Sequence, residues 1–131
     1  MLIVDTSVWA SYFNGASTPH VDRLERALST EEDLAVLPII VTEILQGFRS
    51  ERAFLTAKDL LLALPVIEPS IQTHVEAAIL FRGLRASGVT IRGAIDCIIA
   101  QASIEQGAEL LSPDADFRRI AKHAPLRLCE V

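Results

Sequence analysis

Residues 1–9, MLIVDTSVW, set the reading of the fold. Leu2, Ile3 and Val4 form an unbroken apolar run that ends abruptly at Asp5-Thr6-Ser7. A short continuous apolar run suits a strand buried on both faces, whereas a strand with one wet face would alternate. A helix is expected to follow through Phe13, with Asn14-Gly15 as its stop. The same strand-then-helix alternation recurs down the chain. Leu34 to Leu37, Val66-Ile67, Leu110-Leu111 and Leu126 to Leu128 read as further short strands. Between them, helices are expected from Pro19 to Leu28, from Pro38 through Phe48, from Ser50 to Leu64, from a Ser70 cap to Ala86, and from Ile95 to Gln106. Gly88 and Gly107 stop the last two, and Asp116 is read as the cap of a final helix carrying Phe117 and Ile120. This alternation predicts one α/β domain over residues 1–131. Its core is a short parallel sheet of about 4–5 strands flanked by helices on both faces. In such sheets ligands bind outside the carboxyl ends of the strands, which is where Asp5 and Asp114 fall.

Composition narrows the function classes. Half of the 131 residues are apolar and 22% are charged, which excludes disordered and disulfide-scaffold chains. No apolar run approaches the roughly 18 residues of a membrane span. The N-terminus lacks a basic segment, and Cys97 and Cys129 show neither metal nor disulfide spacing. The expectation is a reduced, cytoplasmic protein. Taken alone, a net charge of −5 argues against nucleic acid, but five carboxylates gathered at one site would leave 12 basic against 12 acidic residues. Ten of the basic residues are arginine, the better phosphate fork.

Four acids sit in surroundings unsuited to surface carboxylates. Asp5 follows Leu-Ile-Val; Glu43 lies among Ile39, Ile40 and Ile44; Asp96 is set in Ala94-Ile95-Asp96-Cys97-Ile98-Ile99; Asp114 follows Leu110-Leu111-Ser112-Pro113. Buried acids are costly unless paired or metal-bound. On the helix from Ile95, the face of Asp96 continues through Ala100, Ser103 and Gly107. Those small residues allow close approach to a strand end, which carries Asp96 toward Asp5 and Asp114. Clustered carboxylates raise one another's pKa unless a cation is present. An oxygen-only set without His or Cys suits Mg²⁺ or Mn²⁺ better than zinc. The chemistry such a site supports is in-line attack of water on phosphorus. Each acid also has an ordinary structural reading: Asp5 as a helix cap, Glu43 facing solvent, Asp96 favoured by a helix dipole, Asp114 and Asp116 as turn and cap residues.

Four motifs in order resemble those of the PIN-domain ribonucleases, and within them the VapC toxins of toxin–antitoxin pairs. They are M-L-I-V-D-T-S-V-W (1–9), V-T-E-I-L-Q-G (41–47), A-I-D-C-I-I-A-Q-A (94–102) and L-L-S-P-D-A-D-F (110–117), and the likeness runs from Met1 to about Ala121. The resemblance implies a metal-dependent endoribonuclease that cleaves RNA with Mg²⁺ or Mn²⁺. It implies catalytic, metal-binding roles for Asp5, Glu43, Asp96 and Asp114, with Asp116 a less regular ligand. Thr6, Ser7 and Ser112 match polar positions that hold the acids. It also implies a homodimer and a cognate antitoxin protein whose C-terminal arm blocks the site. The helices at 38–48 and 50–64 are the candidate groove for that arm. Ser112-Pro113, and Arg92-Gly93 before the third motif, depart from the usual pattern without removing a ligand.

Other residues carry secondary expectations. Trp9 is read as core or as a base-stacking platform, and His20, His74 and His123 as surface residues. Cys97 is read as buried and inert. Arg118, Arg119 and Lys122 form one candidate basic edge for phosphates; Arg82, Arg85 and Arg92 form a second. The alternative function is a non-catalytic PIN-fold module that binds RNA or protein. An aspartyl phosphatase would need a second carboxylate where Ser7 stands, and a receiver domain would need acids and a lysine that are absent.

Overall fold

The computed structural model describes residues 1–131. Leu2–Val4 forms β1, and all three residues are buried. Successive strand residues face opposite sides, so both faces of β1 are covered. α1 (Thr6–Phe13) follows at once, then α2 (Pro19–Ser29), whose Thr18 cap accepts a hydrogen bond from the Val21 N–H at 3.1 Å. β2 (Leu34–Ala35) leads into α3 (Pro38–Leu45), where proline occupies the first turn at no cost in hydrogen bonds. α4 (Glu51–Leu62) and α5 (Ile71–Ala86) come next, the latter opened by a reciprocal Ser70–Thr73 capping box. α6 (Ala94–Gln106) ends at Gly107, whose φ of 61° is left-handed and favours glycine. β3 (Glu109–Leu111), α7 (Ala115–Ala121) and β4 (Arg127–Leu128) complete the chain.

The four strands are parallel, in the order β2-β1-β3-β4. β1 is central, with Val4 opposite Leu111 on β3 and Ile3 opposite Ala35 on β2. The connections therefore depart to opposite sides of β1, which opens a crevice at the carboxyl ends of β1 and β3. The core beneath it contains Trp9, Phe117, Ile3, Leu110, Leu111 and Ile99, each at most 1% exposed. No helix is long and apolar enough to cross a membrane.

Three local expectations are corrected. Val66-Ile67 is not a strand: Val66 makes a single parallel bridge to Val36 beyond the end of β2. Pro65 and Pro69 bracket the pair, and Val66 is 46% exposed, so neither further donors nor burial extends the pairing. The strand expected over Leu34 to Leu37 shortens to two residues because Leu37 already caps α3. The final helix is capped by Asp114, not Asp116: the Asp114 Oδ1 accepts from the Asp116 N–H at 2.9 Å. Asp116 lies in the first turn, 7% exposed.

Candidate active site

At the carboxyl ends of β1 and β3 the chain forms a cleft of about 530 Å³ lined by Asp5, Thr6, Ser7, Glu43, Arg92, Asp96 and Asp114. Strand register creates its floor. The Asp5 N–H donates to the Leu111 carbonyl at 3.0 Å, so Asp5 and Ser112 leave the sheet side by side. Asp5 makes no side-chain cap bond to α1. Its Oδ2 instead accepts from the Ser112 hydroxyl at 3.0 Å and from the Ser7 hydroxyl at 2.9 Å. The Ser112 Oγ in turn accepts from the Asp114 N–H at 3.1 Å, tying the two strand ends together. Asp5 Oδ1 accepts no hydrogen bond and is left for another partner.

Glu43 reaches the cleft from α3. Its Oε1 accepts from the Thr6 hydroxyl at 2.8 Å, so Glu43 is turned toward the acids rather than to open solvent, and Oε2 has no donor. Asp96 comes from the first turn of α6, whose Ala100 and Ser103 are fully buried and whose body packs against β3. The carboxylate of Asp96 accepts no hydrogen bond from the protein. Partial burial, then the nearby charges of Asp5, Asp114 and Asp116, push its pKa up to about 6 against the opposing pull of Arg92.

Two arginines complete the arrangement. The Arg92 guanidinium donates to Asp114 Oδ2 at 2.8 Å, and the Arg92 backbone N–H donates to Asp116 Oδ2 at 3.1 Å. Arg119 forms an ion pair with Asp116 Oδ1. Both oxygens of Asp116 are thus engaged by the chain itself. Arg92 and Arg118 each lie four residues from an acid, Asp96 and Asp114, and neither of those spacings forms an ion pair. The actual Arg92–Asp114 partnership spans 22 residues and leaves no mark in local sequence. The expected second basic edge divides accordingly: Arg82 and Arg85 line a different recess on α5, while Arg92 joins the acids. Arg118 turns to the Pro113 carbonyl.

One cleft therefore gathers Asp5, Glu43, Asp96 and Asp114, with Asp116 alongside and Thr6, Ser7 and Ser112 bonded to its acids or backbone. Carboxylate oxygens of Asp96, Asp114 and Asp116 lie within 4.8 Å of one another. Hard, oxygen-only donors with unbonded oxygens on Asp5, Glu43 and Asp96 fit a divalent cation of the Mg²⁺ or Mn²⁺ type. Trp9 is fully buried against Tyr12 and Phe13, so it is core and presents no face for a base. Cys97 is buried, with its thiol pushed up to about 11 by burial and by Asp96, and stays protonated.

A family model for the PIN domain matches residues 2–123. The VapC ribonuclease Mb1587 of Mycobacterium bovis and ribonuclease VapC11 of Mycobacterium tuberculosis are each 34% identical over 125 residues, covering 93% of this chain and 92% of the relative. Among solved structures, VapBC2 from Rickettsia felis bound to a promoter DNA fragment superposes with a TM-score of 0.78 at 21% identity. The superposition covers 98% of this chain and 96% of that one, and is a likeness of fold.

Proposed function

The chain belongs to the PIN-domain family, alongside the VapC ribonucleases, and we propose that it is a metal-dependent endoribonuclease, the toxin of a toxin–antitoxin pair. The observation that carries this reading is the convergence of Asp5, Glu43, Asp96 and Asp114 on one cleft, with an unbonded oxygen on three of them.

In this reading Asp5, Asp96 and Asp114 hold Mg²⁺ or Mn²⁺. When bound there, such a cation would supply positive charge to an in-line displacement at phosphorus. Ser7 and Ser112 fix Asp5 through Oδ2, so that Oδ1 faces the cleft. Thr6 fixes Glu43 through Oε1, which leaves Oε2 to accept the proton of the attacking water. Water oxygen bonds to phosphorus as the bond to the leaving ribose oxygen breaks, and solvent protonates that oxygen. Asp116 acts mainly as a brace: it holds Arg92 through the backbone and Arg119 through its side chain.

The antitoxin would occupy the same acids. Arg92 on Asp114 shows how a guanidinium sits there, and an incoming arginine competes for that carboxylate. A homodimer within one cytoplasmic compartment with its antitoxin completes the proposal. A second reading, a non-catalytic module binding RNA or protein, draws on the fact that Asp114 and Asp116 are already neutralised by the chain's own arginines. Incubation of the purified chain with total RNA separates the two. Discrete fragments formed in Mg²⁺ or Mn²⁺ and lost in EDTA are expected; intact RNA in every metal, after any bound peptide has been removed by denaturation and refolding, would assign the chain to the binding module.

A further inference from the structure

Next to the acid cleft is a second recess, about 510 Å³, formed by Gly88, Val89, Thr90, Arg119, Lys122 and His123. Building on the ribonuclease reading, we propose that this recess binds a backbone phosphate of the RNA, flanking the bond that is cut.

The first support is its chemistry. Half of its lining residues are basic types, and none is a carboxylate. Lys122 and His123 are exposed and lie in no ion pair, so their donors are free for an anion. Thr90 adds an exposed hydroxyl. The second support is continuity. Arg119 lines this recess and pairs with Asp116 Oδ1; Asp116 Oδ2 holds the Arg92 backbone; Arg92 lines the acid cleft. The two recesses thus share one wall, Arg119–Asp116–Arg92. The third support is charge. A polyanion approaching a chain of net charge −5, at the point where its acids are gathered, needs positive charge beside the reacting bond. Arg92 and Arg119 are each partly neutralised by an aspartate, whereas Lys122 is not. His123, an isolated surface residue in the sequence, acquires a neighbourhood only through the fold.

Lys122 also caps the C-terminal end of α7, where its positive charge complements the helix dipole. That role alone would change stability and leave RNA kinetics untouched. The test uses the full chain, a labelled RNA oligonucleotide carrying a mapped cleavage site, and Lys122→Gln and His123→Gln singly and together. Lys122→Gln is expected to raise KM by about threefold to tenfold and to change kcat less than KM, and the double variant to raise it further. The slope of log(kcat/KM) against log salt should flatten by about 0.7 for each contact removed. Shortening the RNA to the dinucleotide around the cut should erase the difference between wild type and variants. Variants equal to wild type in KM and salt slope on the long RNA overturn the phosphate site and leave the ribonuclease reading standing. Unchanged RNA kinetics with weakened antitoxin binding overturn it too, in favour of a protein partner. Wild-type protein that cuts no RNA overturns both.

Discussion

Asp96 is the residue on which the site's electrostatics turn. Its carboxyl is pushed from 3.8 up to about 6, chiefly by burial and then by Asp5, Asp114 and Asp116. Between those two values the unfolded chain has released a proton that the folded chain keeps, so cation-free stability falls as pH rises from about 4 through 6 and stays lower above. Divalent cation reverses the penalty only when Asp96 is ionised. Thermal melts should therefore show a larger Mn²⁺-induced rise in Tm at pH 7.5 than at pH 5; equal rises would remove Asp96 from the cation site. With the shift discounted for partial exposure to about 1 kcal/mol, Asp96→Asn should melt roughly 4 °C above wild type at pH 7.5 without metal. Arg92 gives the complementary case, since its guanidinium competes with any cation for Asp114 Oδ2. Arg92→Gln should bind Mn²⁺ more tightly by calorimetry, by roughly threefold, and unchanged or weaker affinity would show that the ion pair organises Asp114 rather than opposing the metal. The acids themselves were legible in sequence, because each stands in an apolar run or at a strand end. The Arg92 partner of Asp114 was not, because a contact across 22 residues has no local periodicity, whereas Arg119 stands only three residues from Asp116.

At the scale of elements, two strand ends, the start of α6 and Glu43 of α3 make the site. β1 and β3 deliver Asp5 and Ser112 in register, and the small buried face of α6 lets Asp96 approach. Ser112 is the joint, bonded to Asp5 Oδ2 and to the Asp114 N–H. Ser112→Ala should cost about 1–3 kcal/mol in urea unfolding and weaken cation binding more than Ser7→Ala, which removes a single bond, from the Ser7 hydroxyl to Asp5 Oδ2. If the two variants bind Mn²⁺ alike, the link between strand ends does not matter to the site. The β3 core should be far less tolerant than the sheet edge: Leu110→Ala should cost about 2–5 kcal/mol, and Val66→Ala under about 1. Equal losses would mean that the Val36–Val66 bridge is part of a true strand. Most elements could be read from apolar runs, prolines and glycine stops. Val66-Ile67 misled because apolar character alone does not reveal that flanking prolines and exposure prevent pairing. Asp116 misled as a cap because the helix starts earlier, at Ala115: Asp114 Oδ1 accepts from the Asp116 N–H, which leaves Asp116 inside the first turn.

Across the whole molecule, charge is arranged rather than summed. A net charge of −5 conceals an acid cleft lined by Arg92, with Arg119, Lys122 and His123 in the recess beyond. Sequence arithmetic allowed this by setting five acids aside, but only the fold shows which cations border them. The chain order of the strands produces the crevice, the crevice collects the acids, and burial together with the neighbouring carboxylates pushes the pKa of Asp96 up to about 6. What we propose is that this cluster, completed by a divalent cation, cleaves RNA. The measurement that tests it most directly is RNA cleavage in Mn²⁺ by wild type and Asp96→Asn side by side, with circular dichroism to show both folded and calorimetry to follow the metal. The account predicts that Asp96→Asn keeps its fold, loses about 10-fold or more in Mn²⁺ affinity and loses cleavage by at least about 10²-fold. A folded Asp96→Asn protein that cuts RNA at the wild-type rate would contradict it.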